Sequence, residues 1–268
     1  MSILLATLII GSIAISLAAT EVKISGSTTV LPLGEAIAET FNTQQKDYHA
    51  SVTGGGTGAG ITAAADGRSD IAMASREITS DEQSKYGNKF KENLVGYDGI
   101  GIAVSKPIYG AGVKALTKAQ VKEIYAGNIT NWKEVGGPDK EIYVISREQG
   151  SGTRDTFNEV IMGDKAADTP GVATEAVSSA EVKTAITGSD KAIGYLGYSY
   201  VEKGDAKAVT LDGIELTVDT IKSGKYELAR KLYLYTFGEP SAGAKAYLDF
   251  ATGAQGQKIA DEKGFIPV

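Results

Sequence analysis

The chain contains no cysteine, one histidine, one tryptophan and only six prolines in 268 residues. The missing thiols exclude disulfides, thiolate metal sites and cysteine nucleophiles, together with a lipid joined to a cysteine near residue 20. An oxidising compartment is neither required nor ruled out. The lone His49 lies beside a strand-like run, where a structural role is the ordinary one. No paired carboxylates and no nucleophile–base spacing supply the machinery of an extracellular phosphatase or similar hydrolase. No catalytic residue, metal or cofactor is therefore expected, and the chain reads as a non-enzyme.

Basic runs are also absent. Lys and Arg number 27 against 33 Asp and Glu, giving a net charge of −6 and a pI near 5.0, which argues against nucleic acid as a partner. An acidic chain that binds an anion must do so through a local site, because its overall field repels the ligand. There is no internal repeat, coiled-coil pattern or low-complexity tract. With 42% hydrophobic and 22% charged residues the composition is that of a globular protein, and the length allows one large domain or two lobes. The 33 glycines beside so few prolines suit many tight turns.

The one long apolar run, Ile3 to Leu17, ends in the small residues Ser16-Leu17-Ala18-Ala19. Residues 1–20 read as a secretory signal peptide. They lack a positive n-region, so an uncleaved anchor is the alternative, at the lower limit of length for crossing a bilayer. Either way, the remainder is expected to work outside the cytoplasm.

Beyond residue 20, strand-like and helix-like runs alternate. A strand over Glu21–Gly26 leads to a helix over Leu31–Gln44 with Leu33, Ile37 and Phe41 on its apolar face. Ser27, Thr28 or Thr29 would cap it, with Pro32 in its first turn. A second strand, Tyr48–Val52, precedes Thr53-Gly54-Gly55-Gly56-Thr57-Gly58-Ala59-Gly60 and an Ala-rich helix over Ile61–Asp66. That glycine run is no P-loop, since no Lys follows it. It matches G-x-G-x-x-A, yet the next strand, Ile71–Ala74, arrives too soon for a dinucleotide unit. It reads instead as a backbone cradle with Thr57 at its mouth. Ser75-Arg76-Glu77 then stands at a strand end, where open α/β sheets place their ligands; Arg76 with Glu77 could equally be a surface ion pair.

The run from Leu94 to Lys106 would extend roughly 40 Å, more than a small sheet needs. A strand that passes from one lobe into another explains it, and Lys231–Phe237 is its natural partner. Between them come helices over Thr117–Ala126 and Ser178–Thr187, and strands over Ala192–Tyr195 and Val209–Leu211. Trp132 reads as a packing residue. A last helix spans Ala242 to about Ala260.

The most informative stretch is Ser146-Arg147-Glu148-Gln149-Gly150-Ser151-Gly152-Thr153. A strand over Ile142–Ile145 feeds it and a helix over Thr153–Met162 comes after it. Bare N–H groups at a helix start, two hydroxyls and no bulky side chain form a recipe for holding an anion. Arg147 adds a charge and a planar fork that suits a tetrahedral oxyanion. In the bland alternative, an arginine of this stretch pairs with Glu148 or Asp155 beside a capped helix.

Three Ser/Thr–Gly turns, each between a strand and a helix, and two crossing strands resemble the periplasmic phosphate-binding protein family, the extracytoplasmic receptors of ATP-driven phosphate importers. The resemblance runs from about Val22 to Val268. It rests on Gly26-Ser27-Thr28-Thr29, Gly56-Thr57-Gly58-Ala59-Gly60-Ile61, Ile129-Thr130-Asn131-Trp132, Arg147 to Thr153, and the ending Lys263-Gly264-Phe265-Ile266-Pro267-Val268. It implies an α/β, two-lobed periplasmic-binding-protein fold (type II, Venus-flytrap) with two crossing strands. The first lobe would take residues 21–94 and 237–268, and the second 95–236.

By position, the resemblance implies ligand contacts at Ser27, Thr28, Thr29, Thr57, Ser75, Arg76, Arg147, Ser151, Gly152 and Thr153. The implied ligand is inorganic phosphate, and the implied partners are the membrane permease subunits of an ABC importer, with the receptor itself a monomer. One position departs. Many members place an Asp after the third strand to accept the ligand's proton and reject sulfate, whereas this chain has Ser75-Arg76. Glu77, Asp70 and Glu148 are the candidates for that role. A receptor for sulfate, tungstate or molybdate, or a sensory or adhesion protein reusing the fold, is the alternative function.

Overall fold

A computed structural model of the protein describes residues 19–201 and 205–268. The expectation of a signal peptide or anchor over residues 1–20 falls almost wholly outside them. The chain opens with β1 (Thr20–Gly26), α1 (Leu31–Gln44), β2 (Tyr48–Thr53), α2 (Thr57–Ala65), β3 (Ile71–Ala74) and α3 (Ser80–Tyr86). β4 (Phe90–Val104) leads into α4 (Lys106–Gly110), β5 (Ala115–Leu116), α5 (Lys118–Tyr125), β6 (Tyr143–Arg147), α6 (Gly152–Phe157) and β7 (Thr174–Ala176). Then come α7 (Ser179–Thr187), β8 (Ala192–Gly197), α8 (Tyr198–Val201), β9 (Lys207–Ala208), β10 (Thr210–Leu211) and α9 (Val218–Lys222). β11 (Ala229–Phe237) returns the chain to α10 (Ala242–Thr252) and α11 (Ala254–Glu262).

β1 pairs in parallel with β2 on one side and β3 on the other, joined by helical crossovers. β6 pairs in parallel with β7 and β8. Between these groups β4 and β11 run antiparallel from Phe90↔Phe237 to Ala229↔Gly99, so the two long strands expected from the sequence are partners. A register shift at Leu232/Tyr233 marks a bulge, the usual device for bending a long pair. Among the described residues two large apolar cores flank it, beside a smaller cluster of Ile61, Ala72, Ala74, Tyr233 and Tyr235. One joins Val22, Ile24, Leu33, Ile37 and Phe41 to Leu232, Leu234 and Tyr247. The other runs from Ile100 through Val121, Trp132, Val144, Phe157 and Tyr195 to Leu228. Leu228 packs in the second core and Leu232 and Leu234 in the first, so the run through β11 touches both.

Three elements differ locally from the sequence reading. The N-cap of α1 is Val30, with no side-chain capping bond; the Ser27 carbonyl accepts from the N–H groups of Val30 and Leu31 instead. The threonine hydroxyls are thereby released from capping. α2 begins at Thr57, four residues ahead of the expected start, with Gly60 packed against β1. The expected terminal helix is two helices that break at Gly253, whose backbone is extended.

Gly60 allows the close approach of α2. A Cβ there would lie 2.6 Å from both Gly26 Cα and the Ser25 carbonyl oxygen, backbone atoms that cannot yield cheaply. Gly60→Ala is therefore expected to cost about 1–3 kcal/mol of stability, as overpacking does. Gly110→Ala, where nothing lies within 4 Å, should stay within about 0.5 kcal/mol of the parent. Urea unfolding of the two variants checks this, and equal midpoints would contradict it.

Candidate anion-binding site

The turn after β1 supplies Ser27, Thr28 and Thr29, the start of α2 supplies Thr57, and the end of β3 supplies Ser75. From the other lobe come Arg147 at the end of β6 and Ser151, Gly152 and Thr153 at the start of α6. These residues and Gly56 line one narrow cavity with no water-sized void left in it, far from the roughly 300 Å³ at which organic-ligand pockets begin. Every contact residue expected from the sequence lines the cavity except Arg76, and Gly56 is added to them. Gly152 sets the closeness of the walls, since a Cβ there would stand 2.6 Å from Ser75 Oγ and 2.7 Å from Thr57 Oγ1.

The hydroxyls have a common polarity. Thr28 Oγ1 accepts from the Ser179 N–H (3.2 Å), Thr57 Oγ1 from the Ser75 N–H (3.2 Å) and Ser151 Oγ from the Arg154 N–H (3.3 Å). Arg230 donates to Thr153 Oγ1 (2.8 Å) and to Thr29 Oγ1 (3.2 Å). An oxygen that already accepts from the protein has its own proton left to give. The N–H groups of Thr57, Gly152 and Thr153, at the first positions of α2 and α6, have no acceptor within their helices. The cavity is a collection of donors.

Arg147 supplies its charge. The side chain is 2% exposed, with Nε donating to the Ala176 carbonyl (3.1 Å), Nη1 to Ser179 Oγ (3.3 Å) and Nη2 to the Val177 carbonyl (3.3 Å). Its nearest carboxylate, Glu148, stands 3.9 Å away, an ion pair without a hydrogen bond. Burial works against its charged form. A buried cation so weakly paired calls for an anion. Its backbone is fixed from below: Tyr195 Oη accepts from the Arg147 N–H (3.0 Å) and lies 2.8 Å from Ser146 Oγ. Tyr195 is stacked on Phe157 with ring centroids 4.2 Å apart, and burial pushes its phenol up to about 12, so it stays neutral.

Arg76 is a correction to the sequence reading. Nη1 and Nη2 donate to the two Glu82 oxygens (2.7 and 2.9 Å), and Nε to Asp155 Oδ2 (2.6 Å). With its fork spent on two carboxylates it has no charge to offer a ligand. It serves instead as a bridge from the end of β3 to α6. The suggested Arg76–Glu77 surface pair is absent: Arg76 is buried, and Glu77 accepts from Tyr233 Oη (3.0 Å). Asp155 likewise belongs to Arg76 rather than Arg147.

Of the candidate proton acceptors, Asp70 accepts from the Lys23 N–H on an exposed edge and Glu77 faces Tyr233, both away from the cavity. Glu148 alone stands nearby, its Oε1 3.9 Å from where a Gly56 Cβ would be. Burial raises its carboxyl above the ordinary range; Arg147 opposes this, while Glu181 and Glu175 add to it. The sequence reading missed Ser179, Asp98 and Arg230. Asp98, a charge inside the otherwise apolar run Val95 to Val104, was the available signal. A larger surface cleft lined by Glu77, Phe90, Glu92 and Tyr235 offers carboxylates and no buried cation.

Two lobes joined by crossing strands, with a donor-lined cavity between them, define a binding protein of the two-lobed, Venus-flytrap kind. A family model of the PBP superfamily domain matches residues 14–255. The phosphate-binding protein PstS of Bacillus subtilis (strain 168) is 33% identical over 250 residues, covering 92% of this chain and 81% of that relative. PstS of Staphylococcus saprophyticus is 35% identical, covering 92% and 80%. Among solved structures, a Clostridium perfringens chain crystallised with bound phosphate is 39% identical, with a TM-score of 0.86 over 93% of this chain and 100% of that one. An ABC-type phosphate transport receptor from Vibrio cholerae is 31% identical, with a TM-score of 0.74 over 92% and 100%. The chain belongs to the phosphate-binding protein family.

The Arg76 bridge has a pH signature. Burial alone would raise the Glu82 carboxyl, but the hydrogen bonds and charge of Arg76 outweigh it and hold it below its ordinary value of 4.5. A depressed carboxyl contributes stability above its unfolded value and loses it as pH falls through the folded one. Arg76→Gln should therefore be clearly less stable than the parent at neutral pH, and the gap should narrow as pH drops below about 4.5. Urea melts from pH 7 to pH 3 test this; a gap that does not change with pH would refute it.

Proposed function

We propose that the chain binds inorganic phosphate between its lobes, outside the cytoplasmic membrane, and passes it to the permease of an ABC-type importer. The observation that carries this reading is Arg147, a buried guanidinium with no hydrogen-bonded carboxylate, facing a cavity whose hydroxyls and open N–H groups are donors. A multiply charged tetrahedral oxyanion has the lone pairs that such a donor set requires.

The lobes are closed on one another. Thr29 Oγ1 lies 2.9 Å from Thr153 Oγ1, the Gly58 N–H donates to the Gly150 carbonyl (3.0 Å), and Tyr200 Oη donates to the Thr28 carbonyl (2.8 Å). Opening would break these links, so a ligand touching both walls favours the closed form by the contacts it makes only there. The permease would read that form. We infer that residues 1–20 export or anchor the chain, that the receptor works as a monomer, and that it performs no catalysis. Among the described residues no helix is long and apolar enough to cross a membrane.

Ser75 favours a second reading. It stands where a carboxylate would reject a fully ionised anion, and its hydroxyl can either accept the proton of phosphate or donate to sulfate. Titration calorimetry of the ligand-stripped protein with phosphate and then sulfate separates the two. Phosphate should bind at least tenfold more tightly. Arg147→Ala should weaken phosphate binding about 100-fold or more, the loss of two charge-assisted hydrogen bonds. Equal affinity for both anions would make this a general oxyanion receptor, and binding of neither would overturn the transport reading.

A further inference from the structure

Arg230 does not line the cavity, yet it is wired to both of its walls. It lies on β11 with its side chain 3% exposed, and its Nε and Nη2 donate to Asp98 Oδ2 at 3.0 and 2.8 Å. Asp98 is on β4, the other crossing strand. The remaining reach of the fork goes to the site, with Nη1 on Thr153 Oγ1 (2.8 Å) and Nη2 on Thr29 Oγ1 (3.2 Å). Thr29 belongs to one lobe and Thr153 to the other. Asp98 Oδ1 also accepts from the Tyr198 N–H (2.9 Å) at the head of the short helix that carries Tyr200.

A guanidinium has donors and no acceptor, so each threonine oxygen bound to it must accept. Each hydroxyl then has one proton to place. With the walls closed the two oxygens are 2.9 Å apart, and one proton can be spent between them. With an anion between the walls both can turn to it. The Asp98–Arg230 pair is neutral as a whole, so it adds direction to the hydroxyls without adding net charge to the cavity. A lysine could neutralise Asp98 as well, but a single ammonium lacks the planar fork that reaches a carboxylate and two hydroxyls together.

We infer that Arg230 is a positioning residue for anion binding: from the crossing strands it holds the Thr29 and Thr153 hydroxyls as donors, and so ties recognition by both lobes to the strands that join them. The inference rests on the reading of the cavity as a phosphate site. It also distinguishes Arg230 from a residue that merely neutralises Asp98, because its effect must pass through the two threonines.

Titration with inorganic phosphate tests this on four proteins: the parent, Arg230→Lys, Thr153→Val, and the two combined. Arg230→Lys keeps a cation beside Asp98 and is expected to weaken binding about tenfold, the loss of one charge-assisted hydrogen bond. In the Thr153→Val background, where the shorter link is already gone, the same substitution should cost no more than about threefold, since residues acting through a shared partner are not additive. An equal cost in both backgrounds would make the role structural and overturn the inference. The paired variant Asp98→Asn with Arg230→Gln strands no buried ion, and it too should bind about tenfold more weakly; parent-like binding by this variant would also overturn the inference. A parent protein that binds sulfate as well as phosphate leaves the role of Arg230 intact while correcting the ligand. A parent that binds neither removes both readings.

Discussion

The cost of burying the Arg147 charge organises the space between the lobes. A guanidinium taken out of water with only carbonyls, a hydroxyl and a carboxylate 3.9 Å away as neighbours is poorly compensated. The surrounding hydroxyls do not relieve it, because Thr28, Thr57, Ser151, Thr29 and Thr153 accept from protein N–H groups and so have protons, not lone pairs, to offer. The arrangement is incomplete without a negative ion. That also explains how a chain of net charge −6 can hold an anion: the attraction is local and short-ranged, inside a space from which the surface carboxylates are separated by protein.

Much of this was legible in the sequence because the informative signals were local. Gly-Ser-Gly-Thr after a strand gives the bare start of α6, and Thr57 repeats that logic at α2 on the other lobe, whereas Ser27-Thr28-Thr29 lie ahead of the start of α1. The pairing of β4 with β11 was legible because the Leu94–Lys106 run is too long for a small sheet and Lys231–Phe237 is its natural partner. The role of Arg76 was not. In sequence it sits at the ligand edge of β3, where a contact residue would also sit, and only the fold brings Glu82 from the next helix and Asp155 from the other lobe to its fork. Arg230 and Asp98 are 132 residues apart, and no local pattern links them. The helix starts failed for a related reason. Capping preference assigns a threonine to α1, but Thr28 and Thr29 are engaged by Ser179 and Arg230, partners that lie far along the chain.

Three arginines lie at the junction of the lobes, and their carboxylate partners separate their roles. Arg76 has two, Glu82 and Asp155, and ties β3 to α6. Arg230 has one, Asp98, and with it forms a neutral unit that still has donors to spare. Arg147 has none within hydrogen-bonding distance. Arginine type alone therefore says little about ligand binding here; the local charge balance says more. Only the last of these sites gains by taking up an anion, and it is the one that faces the cavity. The first two hold the walls at the spacing at which that anion can touch both. Because Arg76 and Arg230 each contact both lobes, the force that closes the cleft and the force that fills it come from different arginines. The two bridges set the spacing of the walls, and the weakly paired charge of Arg147 makes the filled state the better one.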